Sequence, residues 1–141
     1  MHKFYLVLFA IGIVLALAAC SGDTDSEQGN ASETSITVRN SSDKQITSIE
    51  LKLYQNDMVQ TSPTAMNADE SLIVKGEEVE FEILTQDVNF DEPVVIEAVA
   101  MINGVEVSAG TTAPMQLVQG ESYRFELARD PDMQFREILE D

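Results

Sequence analysis

From Ile36 onward, apolar residues recur at every second position. Ile36 and Val38 alternate with Thr37 and Arg39, and Asn40-Ser41-Ser42-Asp43 then turns the chain. Ile49, Leu51 and Leu53 alternate with Glu50, Lys52 and Tyr54; Val79, Phe81 and Ile83 alternate with Glu78, Glu80 and Glu82. Val94 to Ile102 is almost continuously apolar, as a central strand is. Val105 and Val107 alternate with Glu106 and Ser108, and Tyr123, Phe125 and Leu127 with Ser122, Arg124 and Glu126. Successive side chains of a strand point to opposite faces, so this period predicts strands with one face on a core. No stretch before residue 130 carries a helical period. The pattern therefore predicts an all-β, antiparallel sandwich over residues 36–129.

The strands also repeat as a set. Ile49-Glu50-Leu51-Lys52-Leu53-Tyr54-Gln55-Asn56-Asp57-Met58 resembles Ile96-Glu97-Ala98-Val99-Ala100-Met101-Ile102-Asn103-Gly104-Val105. Val74-Lys75-Gly76-Glu77-Glu78-Val79-Glu80-Phe81 resembles Val118-Gln119-Gly120-Glu121-Ser122-Tyr123-Arg124-Phe125, with Pro63 and Pro114 lying between the paired blocks. Each half reads as strand, two-residue hairpin, short strand, proline loop, glycine turn, strand. Asn-Gly tolerates the positive φ that a two-residue hairpin requires, which makes Asn103-Gly104 a turn. Gly76 and Gly120 meet the same need before their strands. Two halves plus the Ile36 strand give about seven strands, a count similar to immunoglobulin-like sandwiches.

The ends differ from this body. Residues 130–141 predict a short C-terminal helix or tail: Asp130 caps, Pro131 suits the first helical turn, and Phe135 and Leu139 stand four apart. Residues 21–35 contain no apolar side chain larger than Ala and read as a disordered tether. A flexible tether of that length reaches on the order of 20 Å.

Ahead of the tether, Met1-His2-Lys3 is followed by an apolar run from Phe4 to Leu17 and by small residues ending in Cys20. A charged start, an apolar core and a small-residue exit mark a secretory signal over residues 1–19. The run is shorter than the roughly 20 apolar residues a spanning helix needs. Leu17-Ala18-Ala19-Cys20 resembles the lipobox of bacterial lipoproteins without departure. That resemblance covers the first 20 residues and implies three things. Cleavage follows Ala19, the Cys20 thiol carries diacylglycerol, and Cys20 becomes the mature N-terminus. Ser21 after the cysteine, in place of Asp, implies the outer membrane in a Gram-negative cell. In other envelopes the implied place is the outer face of the cell membrane. Two or more acyl chains hold a protein stably where one does not. Cys20 is the only cysteine in the chain, so a disulfide has no second member.

Composition narrows the chemistry. His2 is the only histidine and lies in the signal, and the chain has no tryptophan. The processed chain then lacks Ser-His and Cys-His nucleophile pairs and the usual zinc ligands. No cofactor and no enzymatic activity are predicted. The formal charge of −17 becomes about −18 once Lys3 is removed. Such a surface repels nucleic acid and suits solubility or a basic partner.

Three side-chain sets invite a binding role. Asp87, Asn89 and Asp91 place oxygens at alternate positions, like the opening of a calcium loop. Glu92 stands where an EF-hand needs Gly and Ala98 where it needs its bidentate Glu, so that loop type is excluded. A looser cation site and a solvated acidic loop both fit the three residues. Met58, Met66, Met101, Met115 and Met133 suit a core filler better than copper(I), given no histidine. Glu78, Glu80 and Glu82 read as the solvent face of a strand.

The sequence thus predicts an exported, lipid-anchored envelope protein whose β-sandwich binds a protein or envelope component. A cation-binding module is the alternative. Cys20→Ser is expected to move the protein from the membrane to the soluble fraction on ultracentrifugation; retention in the membrane would contradict the anchor.

Overall fold

The computed structural model describes residues 33–129 and 132–138. Cys20 and Ala19 lie outside the described residues. Nine strands follow one another: β1 (Thr34–Asn40), β2 (Ser48–Gln55), β3 (Met58–Thr61), β4 (Thr64–Ala65), β5 (Glu78–Ile83), β6 (Val95–Ile102), β7 (Val105–Thr111), β8 (Ser122–Arg129) and β9 (Met133–Glu137). They form two sheets. One has the order β5-β1-β8-β9; the other runs β3-β2-β6-β7, with β4 also paired to β2.

The all-β sandwich is as the alternation predicts, because the inward faces of the two sheets share one core. Ile36 and Val38 of β1 meet Ile49, Leu51 and Leu53 of β2, Phe81 and Ile83 of β5, Ile96 and Ala98 of β6, and Phe125 and Leu127 of β8, all in one buried cluster. Burying a side chain of this size contributes about 1.5–3 kcal/mol.

Both predicted hairpins form. Asn56 and Asp57 have φ of 52° and 62°, and Asn103 and Gly104 have 52° and 75°. These left-handed values are what a two-residue turn between twisted strands requires. The two copies of the repeat take equivalent places around an approximate two-fold. β2 and β6 pair antiparallel at the centre of their sheet, with β3 and β7 outside them. β5 and β8 flank β1 in the other sheet. Equivalent positions of the repeat therefore lie at opposite ends of the sandwich. Pro63 breaks the outer edge beside β2 into β3 and β4, and its carbonyl still accepts from the Leu51 amide at 3.0 Å.

β1 belongs to neither copy and is held by both. It pairs antiparallel with β5 and parallel with β8, so the sandwich is mixed rather than wholly antiparallel. In an immunoglobulin domain the first strand borders its sheet; here it is enclosed. Strand alternation fixes which side chains face inward but is silent on the direction of a neighbour. β1 is also fastened at each end by the glycine turn of one repeat. At the Asn40 end, the Gly76 amide donates to the Asn40 carbonyl at 2.7 Å and the Asn40 amide to Glu77 at 2.9 Å. At the Thr34 end, the Gly120 amide donates to Thr34 Oγ1 at 3.1 Å and the Ser35 amide to Glu121 at 3.1 Å. Gly76 and Gly120 have φ of 91° and 85°, a conformation open to glycine at little cost. The strand starts at Thr34, so Thr34 and Ser35 belong to the sheet and not to the tether.

Within the C-terminal segment, Met133–Glu137 is strand, not helix. β9 pairs antiparallel with β8, with Leu127 opposite Phe135. Phe135 stacks on Phe125 with ring centroids 4.7 Å apart and is 7% exposed. The spacing of Phe135 and Leu139 suits a helix face, but Met133 and Phe135 also satisfy period two. The free edge of β8 and the Phe125 ring decide between them. Asp130, Pro131 and Leu139 lie outside the described residues.

The Asn40 side chain secures the β1–β2 connection. Its Nδ2 donates to the Ile73 and Lys44 carbonyls, both at 2.9 Å, and its Oδ1 accepts from Ser42 N and Oγ. Asn40→Ala strands these buried groups and is expected to lower stability by about 2 kcal/mol in urea unfolding. Phe135→Ala is expected to cost about 3 kcal/mol; a neutral result would contradict the packing of β9.

Candidate functional site

The sequence-predicted oxygen set sits in the connection between β5 and β6. Asp87 Oδ2 accepts from the Leu84 amide at 2.8 Å, and Asn89 Oδ1 accepts from the Asp91 amide at 3.1 Å. Each closes a local turn. The Asn89 backbone, not its side chain, is the long-range contact. Buried Gln55 donates to its carbonyl at 2.7 Å and accepts from its amide at 2.9 Å. Among the described residues, no group of three or more Asp, Glu, His or Cys is arranged to hold a metal ion. Met66 follows β4 while Met115 bridges to Val94, so these repeat-related thioethers stand at opposite ends of the sandwich. Glu78, Glu80 and Glu82 are exposed on the outer face of β5, and Arg124 pairs with Glu78 at 2.7 Å.

A different site forms on the solvent face of the β3-β2-β6-β7 sheet. Tyr54 on β2, Val95 and Glu97 on β6, and Thr111 on β7 share this face, with Tyr54 opposite Val95 and Glu97 opposite Thr111. Together with Asn56, Asp57, Pro93 and Pro114 they line a groove of ≈ 510 Å³. The hairpin tip at Asn56-Asp57 makes one wall, steadied by a 2.9 Å hydrogen bond from Asn56 Nδ2 to Glu92. The proline before β6 and the proline after β7 make others.

Glu97 is the chemical centre of this groove. Tyr54 donates its hydroxyl to Oε2 at 2.7 Å, and Ser108 donates to Oε1 at 2.8 Å. The Tyr54 and Ser108 hydroxyls, aided by the charge of Lys52, hold the Glu97 carboxyl below its ordinary range against the opposing effect of burial. The same bond to Glu97 raises the Tyr54 phenol, with burial and nearby carboxylates adding to it. Lys52 stands opposite Glu97 in the β2–β6 register, and its Nζ lies 3.9 Å from Glu50. The result is an ionised carboxylate held in one orientation by two neutral donors.

The groove is invisible to local pattern. Tyr54, Glu97 and Ser108 are far apart in the chain and meet only because β2, β6 and β7 are neighbours. The one signal in the sequence was an aromatic residue, Tyr54, on the polar face of an alternating strand.

No family model and no curated protein matches this chain. Among solved structures it is similar to an NMR structure of a protein from Eubacterium rectale, at 14% identity over 81% of this chain and 96% of that one, with a TM-score of 0.43. It is also similar to a chain in the structure of a disulfide-locked intermedilysin mutant with human CD59, at 8% identity over 77% of this chain and 24% of that one, TM-score 0.35. A third is a candidate cell adhesion protein from Bacteroides ovatus, at 12% identity over 77% of this chain and 46% of that one, TM-score 0.35.

The Tyr54–Glu97 bond gives a pH prediction with a definite sign. A carboxyl whose folded pKa is depressed adds stability above its unfolded pKa, near 4.5 for Glu, and loses it as pH falls through the folded value. Tyr54→Phe is therefore expected to cost about 1 kcal/mol at neutral pH, discounted for partial exposure. The gap between variant and parent should close below pH 4.5, once Glu97 is protonated in both states. Urea unfolding at pH 7 and pH 3 checks this; a gap unchanged at the lower pH would contradict it.

Proposed function

We propose that the protein is a lipid-anchored, non-enzymatic binding module of a bacterial cell envelope. Its β-sandwich would hold a protein or envelope component in the Tyr54–Glu97 groove. The observation that carries this reading is the groove itself, which sets an oriented carboxylate beside apolar walls on the outer face of the β3-β2-β6-β7 sheet. Thr34, the first residue of β1, pairs with Ile83 and bonds to Val118. That end of the sandwich also holds the Asn56-Asp57 tip and, through Gln55, the loop leading to Pro93. The groove thus lies toward the end of the sandwich at which β1 begins. With a tether reach on the order of 20 Å, an occupant would lie near the membrane surface.

Composition supports the non-catalytic part. A processed chain beginning at Cys20 contains no histidine, and acyl transfer of the serine or cysteine type draws on an imidazole base. The membrane association follows from the lipobox resemblance at Leu17-Ala18-Ala19-Cys20.

Site-specific photocrosslinking in intact cells tests the binding face. A benzoylphenylalanine at Thr111, inside the groove, is expected to give one discrete adduct. The same group at Glu80, on the opposite outer face, is expected to give none. Equal labelling from both positions, or none from Thr111, would remove this reading.

A further inference from the structure

We infer that the groove receives the side chain of a lysine or arginine carried on an extended polypeptide segment. This deepens the binding reading above and rests on it. None of the eight lining residues is positively charged, and two of them, Glu97 and Asp57, are acidic. Pro93, Val95 and Pro114 supply apolar walls beside the Tyr54 ring. A lysine or arginine has the matching form: an aliphatic stem that packs on apolar surface and a cationic head that seeks a carboxylate. An aromatic ring beside such a head adds cation–π attraction.

The Glu97 carboxylate is prepared for this. Each of its oxygens accepts one hydroxyl hydrogen bond, from Tyr54 and from Ser108. A carboxylate oxygen has capacity for more than one donor, so each retains room for an N–H. The two hydroxyls fix the orientation without cancelling the charge. A wholly apolar occupant would strip water from an ionised group and return nothing. An anionic occupant would meet Glu97, Asp57 and a chain of formal charge −17. The complementary occupant is cationic and partly apolar.

A polypeptide is the source that the topology favours. Thr111 lies on β7, the outermost strand of its sheet. An extended segment laid along an outer strand presents alternate side chains to the same face. One side chain would then reach the groove while its neighbours stay outside.

The chain has no tryptophan, so a tryptophan-tagged peptide reports binding by its own fluorescence anisotropy. The full-length protein in a non-ionic detergent is titrated with Gly-Val-Arg-Val-Gly-Trp and with versions bearing lysine, norleucine or glutamate in place of the arginine. The arginine and lysine peptides are expected to bind about tenfold or more tightly than the norleucine peptide, as a charge-assisted contact allows. Glu97→Gln and Asp57→Asn should each weaken the arginine peptide, Glu97→Gln by about tenfold. Glu80→Gln removes the same charge from the opposite face and should change affinity by less than about twofold. Circular dichroism melts confirm that each variant is folded, and Asp57 sits on an exposed turn where substitution is tolerated. Equal weakening by Glu97→Gln and Glu80→Gln would reduce the effect to diffuse attraction and overturn the inference. So would equal binding of the norleucine peptide, binding of free argininamide as tight as the peptide, or no binding of any peptide at about 1 mM. A Thr111 crosslink that persists without arginine selectivity would sink this inference and leave the binding face intact.

Discussion

The enclosure of β1 between β5 and β8 is the constraint on which the rest of the molecule depends. Without it the two repeats share one sheet through β2 and β6, but β5 and β8 have no common partner. β1 supplies that partner, and its inward residues Ile36 and Val38 are fully buried. Both glycine turns then close on its ends, one at Thr34 and one at Asn40. A two-fold repeat leaves a single strand on its axis with unlike neighbours. That is why β1 runs antiparallel to one and parallel to the other. The core of the first sheet and the closure of the sandwich both follow from this placement.

The two outer faces do different work. On the β5-β1-β8-β9 sheet, Arg39, Arg124 and Arg136 stand among Glu78, Glu80 and Glu126. Arg136 reaches Glu126 at 2.5 Å and Arg124 reaches Glu78 at 2.7 Å. Exposed pairs of this kind contribute little stability each, but they balance charge in a strongly acidic chain. On the other sheet Glu97 is answered mainly by hydroxyls, and Lys52 is shared with Glu50. The groove thus presents Glu97 and Asp57 with no cationic side chain among its lining residues. That lining is what makes a basic side chain the fitting occupant.

What could be read from the sequence was local. Alternation at Ile49-Leu51-Leu53 and Val79-Phe81-Ile83 marks strands because side-chain period is a property of the strand itself. Asn103-Gly104 marks a turn because positive φ is a property of those residues. The place of β1 was not legible, since no local rule says which strand a neighbour will be. Nor was the groove, whose Tyr54, Glu97 and Ser108 come from three strands. The last segment misled because Phe135 and Leu139 satisfy a helical spacing while Met133 and Phe135 satisfy period two. Only the unfilled edge of β8 and the ring of Phe125 resolve it. The resemblance at Leu17 to Cys20 rests on the motif alone, and those residues lie outside the described ones.

Native-state hydrogen exchange of β1 tests the central constraint most directly. If β1 is the strand that both repeats share, the Ile36 and Val38 amides open only when the whole domain unfolds. Their exchange free energy should then equal that of Leu51 in β2 and Ala98 in β6, and should fall with urea at the same slope. Exchange of the β1 amides through a separate opening of lower free energy and shallower slope, with β2 and β6 still protected, would contradict it.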